Sequence, residues 1–315
     1  MTEPLLDFVD CRDAAGQHRM AFWQWGEPLA RHVVLCVHGL TRQGRDFDAL
    51  AQHLIDASLQ PLRVICPDVV GRGRSDWLAD PMGYQVPQYA SDMVTLLHAL
   101  HAQAPIGRLD FVGTSMGGLI GMVIAGHPDL PLPVPVHRLV LNDVGPAIQA
   151  SAIARITSYV GQGEVYENVS DAAAAMKAIS AGFGPHTDAQ WLALSAPMVV
   201  PAAQRSEDGR AKRVSTAGDA RVRLHYDPAI AQPLLAITPE TIVQAEQATW
   251  AFYDAITAPT LLVRGADSDL LSPATAAAMG ERGPRARLLE FSGVGHAPTF
   301  VAPDQAQAVA AFLLD

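Results

Sequence analysis

The chain has 315 residues, 49% of them hydrophobic and 17% charged, with 22 basic side chains against 32 acidic ones for a net charge of −10. A chain of this size buries roughly 75% of its extended surface on folding, which excludes a disordered polymer and allows one large core with an insertion. The 25 glycines and 23 prolines follow no fixed period, so collagen-like, solenoid and low-complexity architectures are excluded too. The acidic balance argues against nucleic acid and against an anionic membrane surface as partners, because both need a basic face.

Residues 1–10, MTEPLLDFVD, hold three acids and neither a basic stretch nor a long apolar one, and no later window approaches eighteen uninterrupted apolar residues. The expected compartment is the cytoplasm. Strand-like runs follow at Met20–Trp25 and His32–Val37, then a helical stretch at Asp46–Ala57 with Phe47, Leu50 and Leu54 on one face. A strand run at Leu62–Cys66 precedes a helix over Gln88–His101, whose apolar face holds Met93, Leu96, Leu97 and Leu100. Arg108–Val112 and Arg138–Asn142 continue the strands and bracket the helix-like MGGLIGMVIA. From about Gly145 to about Ala255 no strand run is convincing, whereas Asp171–Ser180, Ala189–Leu194 and Pro239–Tyr253 read as helical and the polar stretch Gln204–Asp219 reads as a mobile loop. Strands resume at Thr260–Arg264 and Arg287–Phe291, and Pro303–Leu314 closes the chain as a helix. Nearly continuous apolar strands alternating with helices predict a mostly parallel sheet covered on both faces.

Cys11, Cys36 and Cys66 are odd in number, and the last two sit inside apolar runs. With no C-x-x-C pair, neither a disulfide framework nor a zinc site is expected.

The sharpest local signal is Gly113-Thr114-Ser115-Met116-Gly117, directly after LDFV and directly before the helix-like run. A serine nucleophile at a strained strand-to-helix turn needs small residues two positions either side, and Gly113 and Gly117 provide them. A hydroxyl nucleophile needs a base. Among eleven histidines, His296 stands apart in Gly293-Val294-Gly295-His296-Ala297-Pro298, a loop just beyond the last strand. The base in turn needs an acid, for which three carboxylates compete. Asp269, in Gly265-Ala266-Asp267-Ser268-Asp269, is the preferred choice and completes the order Ser, Asp, His; Asp143 in LVLNDVGP and Asp267 are the alternatives. The oxyanion formed by serine attack needs two backbone N–H donors: Met116 supplies one by position, and Leu40, after the tight His38-Gly39 bend, the other. His38 itself is expected to be structural.

On these residues the chain resembles the α/β-hydrolase superfamily, specifically its capped, serine esterase-like members, over nearly its whole length. HGLT, GTSMG and the run Asp68-Val69-Val70-Gly71-Arg72-Gly73-Arg74-Ser75, which matches the family's D-x-x-G-x-G-x-S loop, all agree. The resemblance implies an α/β core formed by residues 1–145 and 256–315, and a helical cap of residues 146–255 inserted after the sixth strand. It carries nucleophile, base and oxyanion donors onto Ser115, His296, Leu40 and Met116. In one respect the chain departs from the pattern: the family's acid usually sits three residues after the strand-end glycine, whereas Gly265 is followed by Asp at the second and fourth positions. Related dehalogenases and epoxide hydrolases use Asp as nucleophile, which Ser115 excludes.

What is expected, then, is hydrolysis of a carboxylic ester of a small to medium apolar molecule through an acyl-enzyme, with no metal or organic cofactor. Carbon–carbon bond hydrolases and lactonases share the same triad, and a ligand receptor that kept the fold without turnover is a reading of another class. Phe183 and Trp191 in the insertion are expected to line the pocket, and Arg42 is a candidate for meeting a polar or anionic substrate end, the alternative being a solvated surface side chain. The partner is a small molecule, with neither nucleic acid nor membrane, and self-association is left open.

Overall fold

The computed structural model describes residues 3–202 and 221–315, so the Gln204–Asp219 stretch lies outside the described residues. The chain opens with an antiparallel pair, β1 (Leu5–Asp13) and β2 (Gly16–Gly26), followed by β3 (His32–Val37), α1 (Asp48–Ala57) and β4 (Leu62–Pro67). Next come α2 (Val86–Gln103), β5 (Arg108–Thr114), α3 (Met116–Gly126) and β6 (Val136–Asn142). The insertion contains α4 (Ala150–Thr157), β7 (Val165–Tyr166), α5 (Val169–Ile179), α6 (Asp188–Ser195), β8 (Val199–Pro201), β9 (Val222–Leu224), α7 (Ala231–Leu235) and α8 (Pro239–Ala255). The chain then returns through β10 (Thr260–Gly265), α9 (Pro273–Glu281), β11 (Arg287–Phe291) and α10 (Pro303–Leu314).

Eight strands form one sheet in the order β1-β2-β4-β3-β5-β6-β10-β11, parallel from β4 to β11 and antiparallel over the first two pairings. The central strands are apolar without alternation because both their faces are covered: Val33 through Val37 are fully buried. One apolar cluster, including Met93, Leu97, Phe111 and Ile120, fills one side of the sheet. The other, with Leu50, Leu54, Val263 and Leu313, lies under α1 and α10. The strand order reverses around β3, since the chain steps from β3 to β4 on one side and then to β5 on the other. In an open α/β sheet, that reversal leaves a crevice at the carboxyl ends of the two flanking strands, and ligands bind there. Leu40 follows β3, and Ser115 follows β5.

The structure departs from the sequence reading at the edge strand, within the insertion and at α9, which the sequence did not single out. The edge strand β1 was not foreseen, because only Val9 and Cys11 of its nine residues are buried and its apolar residues do not alternate. The insertion is not wholly helical: β7, β9 and β8 form a small antiparallel sheet. Strands of two or three residues are too short to show a period. The last helix of the insertion, α8, lies against α3, where a side chain at Gly126 would collide with the Phe252 carbonyl at 2.0 Å.

Candidate active site

The turn from β5 into α3 holds Ser115 at φ 52°, in a region that non-glycine residues rarely occupy. Its neighbours must be bare: a Cβ on Gly113 would lie 2.3 Å from the Gly117 carbonyl, and one on Gly117 would lie 1.9 Å from the Val37 carbonyl. Ser115 stands at the N-cap of α3, yet its hydroxyl makes no capping bond. It donates to His296 Nε2 at 2.9 Å instead. His296 Nδ1–H donates to Asp143 Oδ2 at 2.7 Å, which leaves Nε2 as the acceptor facing the serine.

The expectation that Asp269 is the acid is corrected by this geometry. Both Asp269 oxygens are held by Arg155 of α4, Nε to Oδ2 at 2.6 Å and Nη2 to Oδ1 at 2.9 Å, and the carboxylate is about half exposed. Asp267 is exposed as well. Asp143, the alternative, is fully buried at the end of β6 and also accepts from the Gly265 N–H at 2.9 Å and the Ser268 hydroxyl at 2.6 Å. The physical reason lies in the loop after β10. Its third position after Gly265 is Ser268, whose hydroxyl donates to the carboxylate of the neighbouring strand, while the acids on either side of Ser268 face away. Asp143 has φ 55°, a conformation that Asp tolerates better than most residues, and that strand-end Asp was the signal available in sequence.

Beside the triad, His38 is structural as expected. It donates from Nδ1 to the Gly39 carbonyl at 2.7 Å and accepts the Val69 N–H on Nε2 at 2.9 Å. Burial drives its pKa down to about 3, so the ring is neutral. Among the described residues, no carbonyl or side chain takes up the N–H of Leu40 or of Met116. The N-terminus of α3 adds its positive dipole end at the same place.

Three residues to which the sequence assigned no individual role, two of them in the Asp68–Ser75 loop, complete the surroundings. Asn142 donates from Nδ2 to Thr114 Oγ1 at 3.0 Å and to the Pro298 carbonyl at 2.8 Å, tying the ends of β5 and β6 to the His296 loop. Asp68 accepts the N–H groups of Gly44 and Arg74, both at 2.8 Å, and burial raises its carboxyl to about 6 against those bonds. Arg72 is fully buried and donates to the Leu40 carbonyl at 2.8 Å.

A small hollow of about 40 Å³ lies next to the elbow, lined by Gly39, Arg42, Thr114, Phe183, Leu194 and Thr299 among others. Phe183 is on its wall. Trp191 is not; it is buried behind, stacked on Phe183 with centroids 6.0 Å apart. Arg42 lines the hollow but is already paired with Asp46, Nε to Oδ2 at 2.6 Å and Nη2 to Oδ1 at 2.8 Å, with its guanidinium over Phe183 at 5.4 Å. The insertion also reaches the base: the Gly295 N–H donates to the Gly182 carbonyl at 2.6 Å, and His186 Nε2 lies 2.8 Å from Thr299 Oγ1.

A nucleophile elbow, a strand-end acid and a loop histidine on this sheet define an α/β hydrolase. The chain belongs to that family, since the model for the alpha/beta hydrolase fold matches residues 32–303. It is 47% identical over 302 residues to a 3-hydroxybutyrate-oligomer hydrolase of Cupriavidus necator, covering 96% of this chain and 95% of the relative. Among solved structures, an alpha/beta hydrolase from Novosphingobium aromaticivorans superposes with a TM-score of 0.77 at 34% identity, over 99% of each chain. A putative hydrolase from Rickettsia typhi reaches a TM-score of 0.79 at 25% identity, again over 99% of each. Among the described residues, no helix is long and apolar enough to cross a membrane.

Proposed function

We propose that the chain hydrolyses the ester bonds of short 3-hydroxybutyrate oligomers, with Ser115 as nucleophile, His296 as base and Asp143 as the acid that orients it. The observation that carries this reading is the 47% identity to the Cupriavidus necator oligomer hydrolase along nearly the full length of both chains. The enzyme is a serine hydrolase acting on carboxylic esters. His296 accepts the Ser115 proton as Oγ attacks the ester carbonyl, and the N–H groups of Leu40 and Met116 hold the tetrahedral oxyanion. Collapse breaks the ester C–O bond, and His296 returns the proton to the departing 3-hydroxyl of the next unit. Water, deprotonated by His296, then attacks the acyl-serine and releases the acid.

Residues 146–255 act as the lid in this reading. Phe183 and Leu194 present an apolar wall to a four-carbon acyl unit, and the bonds from Gly182 and His186 to the 295–299 loop keep the wall in register with the base. The substrate is a small molecule and the compartment the cytoplasm, which agrees with three cysteines that are buried and unpaired.

The test is release of 3-hydroxybutyrate from its dimer and trimer, run beside p-nitrophenyl butyrate, a lactone and a vinylogous diketone. Oligomer cleavage should exceed lactone and diketone cleavage by at least about tenfold in kcat/KM, a difference of about 1.4 kcal/mol in transition-state binding. Ser115→Ala should lower every rate by about a thousandfold or more and abolish fluorophosphonate labelling. A wild-type protein that binds the oligomers but turns none over would support the receptor reading instead.

A further inference from the structure

Arg72 is a cation with no solvent exposure, and among the described residues no carboxylate pairs with it. Its donors go to neutral groups. Nη1 donates to the Val70 carbonyl at 2.8 Å and the Tyr89 hydroxyl at 3.0 Å, Nε to the Leu40 carbonyl at 2.8 Å, and Nη2 lies 3.7 Å from Met116 Sδ. The guanidinium also lies against the rings of Tyr84 and Tyr89, with centroids at 5.6 and 5.0 Å. Removing a charge from water without a counter-ion is costly, and carbonyl dipoles and ring faces offset only part of that cost. A fold that keeps such a charge beside a reaction centre holds positive potential ready for a negative charge that appears only during the reaction.

Of its contacts, two are with Leu40 and Met116, the residues whose N–H groups are assigned to the oxyanion in the proposed mechanism. We propose that Arg72 is a positioning residue for the oxyanion hole: it fixes the Leu40 turn and the start of α3 relative to one another, and its unpaired buried charge favours the tetrahedral oxyanion. This rests on the reading of Leu40 and Met116 as the donors. The base of the side chain is clamped as well, because the Gly73 N–H donates to the His225 carbonyl at 2.8 Å and the Asp227 N–H to the Gly71 carbonyl at 2.8 Å. Tyr84, under the guanidinium, donates to Asp227 Oδ2 at 2.7 Å. Arg72 is therefore held from the core and from the insertion, with little freedom to turn away.

Three variants test this: Arg72→Gln, which removes the charge; Arg72→Lys, which keeps the charge without the fork; and Tyr89→Phe, which removes one bond to the guanidinium. Each is assayed for kcat and KM on p-nitrophenyl butyrate and for affinity toward an alkyl trifluoromethyl ketone, which forms a tetrahedral adduct on serine. Arg72→Gln should lose on the order of tenfold to a hundredfold in kcat, with KM nearly unchanged and ketone affinity falling by the same factor, and Arg72→Lys should recover part of both. A folded Arg72→Gln with kcat within about twofold of wild type overturns the proposal. So does a fall in kcat that leaves ketone affinity intact. If Arg72→Gln does not fold, Tyr89→Phe decides: a parallel loss of about threefold in kcat and ketone affinity supports the role, and no change in either overturns it. Ser115→Ala separates the two levels, since an active Ser115→Ala enzyme refutes the serine reading whatever Arg72 does.

Discussion

The strand ends of β6 and β10 lie side by side and both carry carboxylates, yet they have become different environments. At the end of β6, Asp143 is fully buried and receives three hydrogen bonds, from Gly265, Ser268 and His296. In the loop after β10, Asp269 is about half exposed and bound by one guanidinium at the surface. The chemical group is the same, but only the first is held in one orientation by the core. A triad acid has to fix a histidine tautomer, which requires a carboxylate that does not move and is not screened by water. What selects the acid is therefore the surrounding shell, Ser268 above all, and not the distance along the chain from the strand end.

The largest effect that could break this contrast is expected from Asp143→Asn. It should lower kcat on p-nitrophenyl butyrate by about 10³ to 10⁴ by favouring the wrong imidazole tautomer, while Asp269→Asn stays within about twofold of wild type. Similar losses from the two single variants, or loss only in the double variant, would show the two strand ends to be interchangeable. Ser268→Ala sharpens the comparison. It removes one donor to a buried carboxylate, a bond of about 1.5–3 kcal/mol, so kcat should fall by roughly tenfold to a hundredfold, and Ser268→Thr should restore much of it.

A smaller effect extends the contrast to buried histidines. His38 and His225 are pushed by burial down to about 3 and about 4. The unfolded chain, with histidines near 6.5, therefore binds protons between roughly pH 3 and 6.5 that the folded chain does not, and stability rises with pH through that window. Asp68, raised to about 6, works the other way: the folded chain keeps a proton between about pH 4 and 6 that the unfolded chain has lost. Asp46, Asp48 and Asp92, likewise raised by burial, act in the same sense as Asp68, so the histidine contribution is read from the difference between wild type and a His38 variant in a melting series in matched buffers. His38→Gln, able to donate to Gly39 and accept from Val69, should flatten the slope; an unchanged slope would mean that His38 is not the group resisting protonation. The smallest effect should come from breaking the exposed pair, with Arg155→Ala changing Tm by less than about 3 °C, as expected for an ion pair worth under about 1 kcal/mol. A larger drop would give the β10 loop a structural weight that its exposure argues against.

Much of the site was legible because its signals are local. The elbow at Ser115 needs glycines at fixed offsets, and His296 is set off by glycines and a proline in one short loop. Leu40 and Met116 follow from the same two turns. Asp143 was visible only as one candidate of three, since Asp in a strand-end loop reads alike whether it faces a histidine or an arginine from α4. Trp191 was taken for a pocket residue because an aromatic in the insertion looks the same whether it lines the hollow or backs its wall. Arg42 gave no sign that Asp46, four residues on, would occupy its guanidinium.

The sequence by itself determined the α/β alternation, the parallel sheet and the serine and histidine that come together in the candidate site, because hydrophobic period and turn chemistry act within a few residues. The acid, the wall of the hollow and the neutral cradle around Arg72 were decided by tertiary structure. Each depends on groups that meet only once the sheet is assembled: Ser268 with Asp143 across two strands, Phe183 of the insertion with Arg42 of the core, and Arg72 with the turns that follow β3 and β5. Burial then separates side chains that are chemically alike, leaving one carboxylate buried and fixed and another in water.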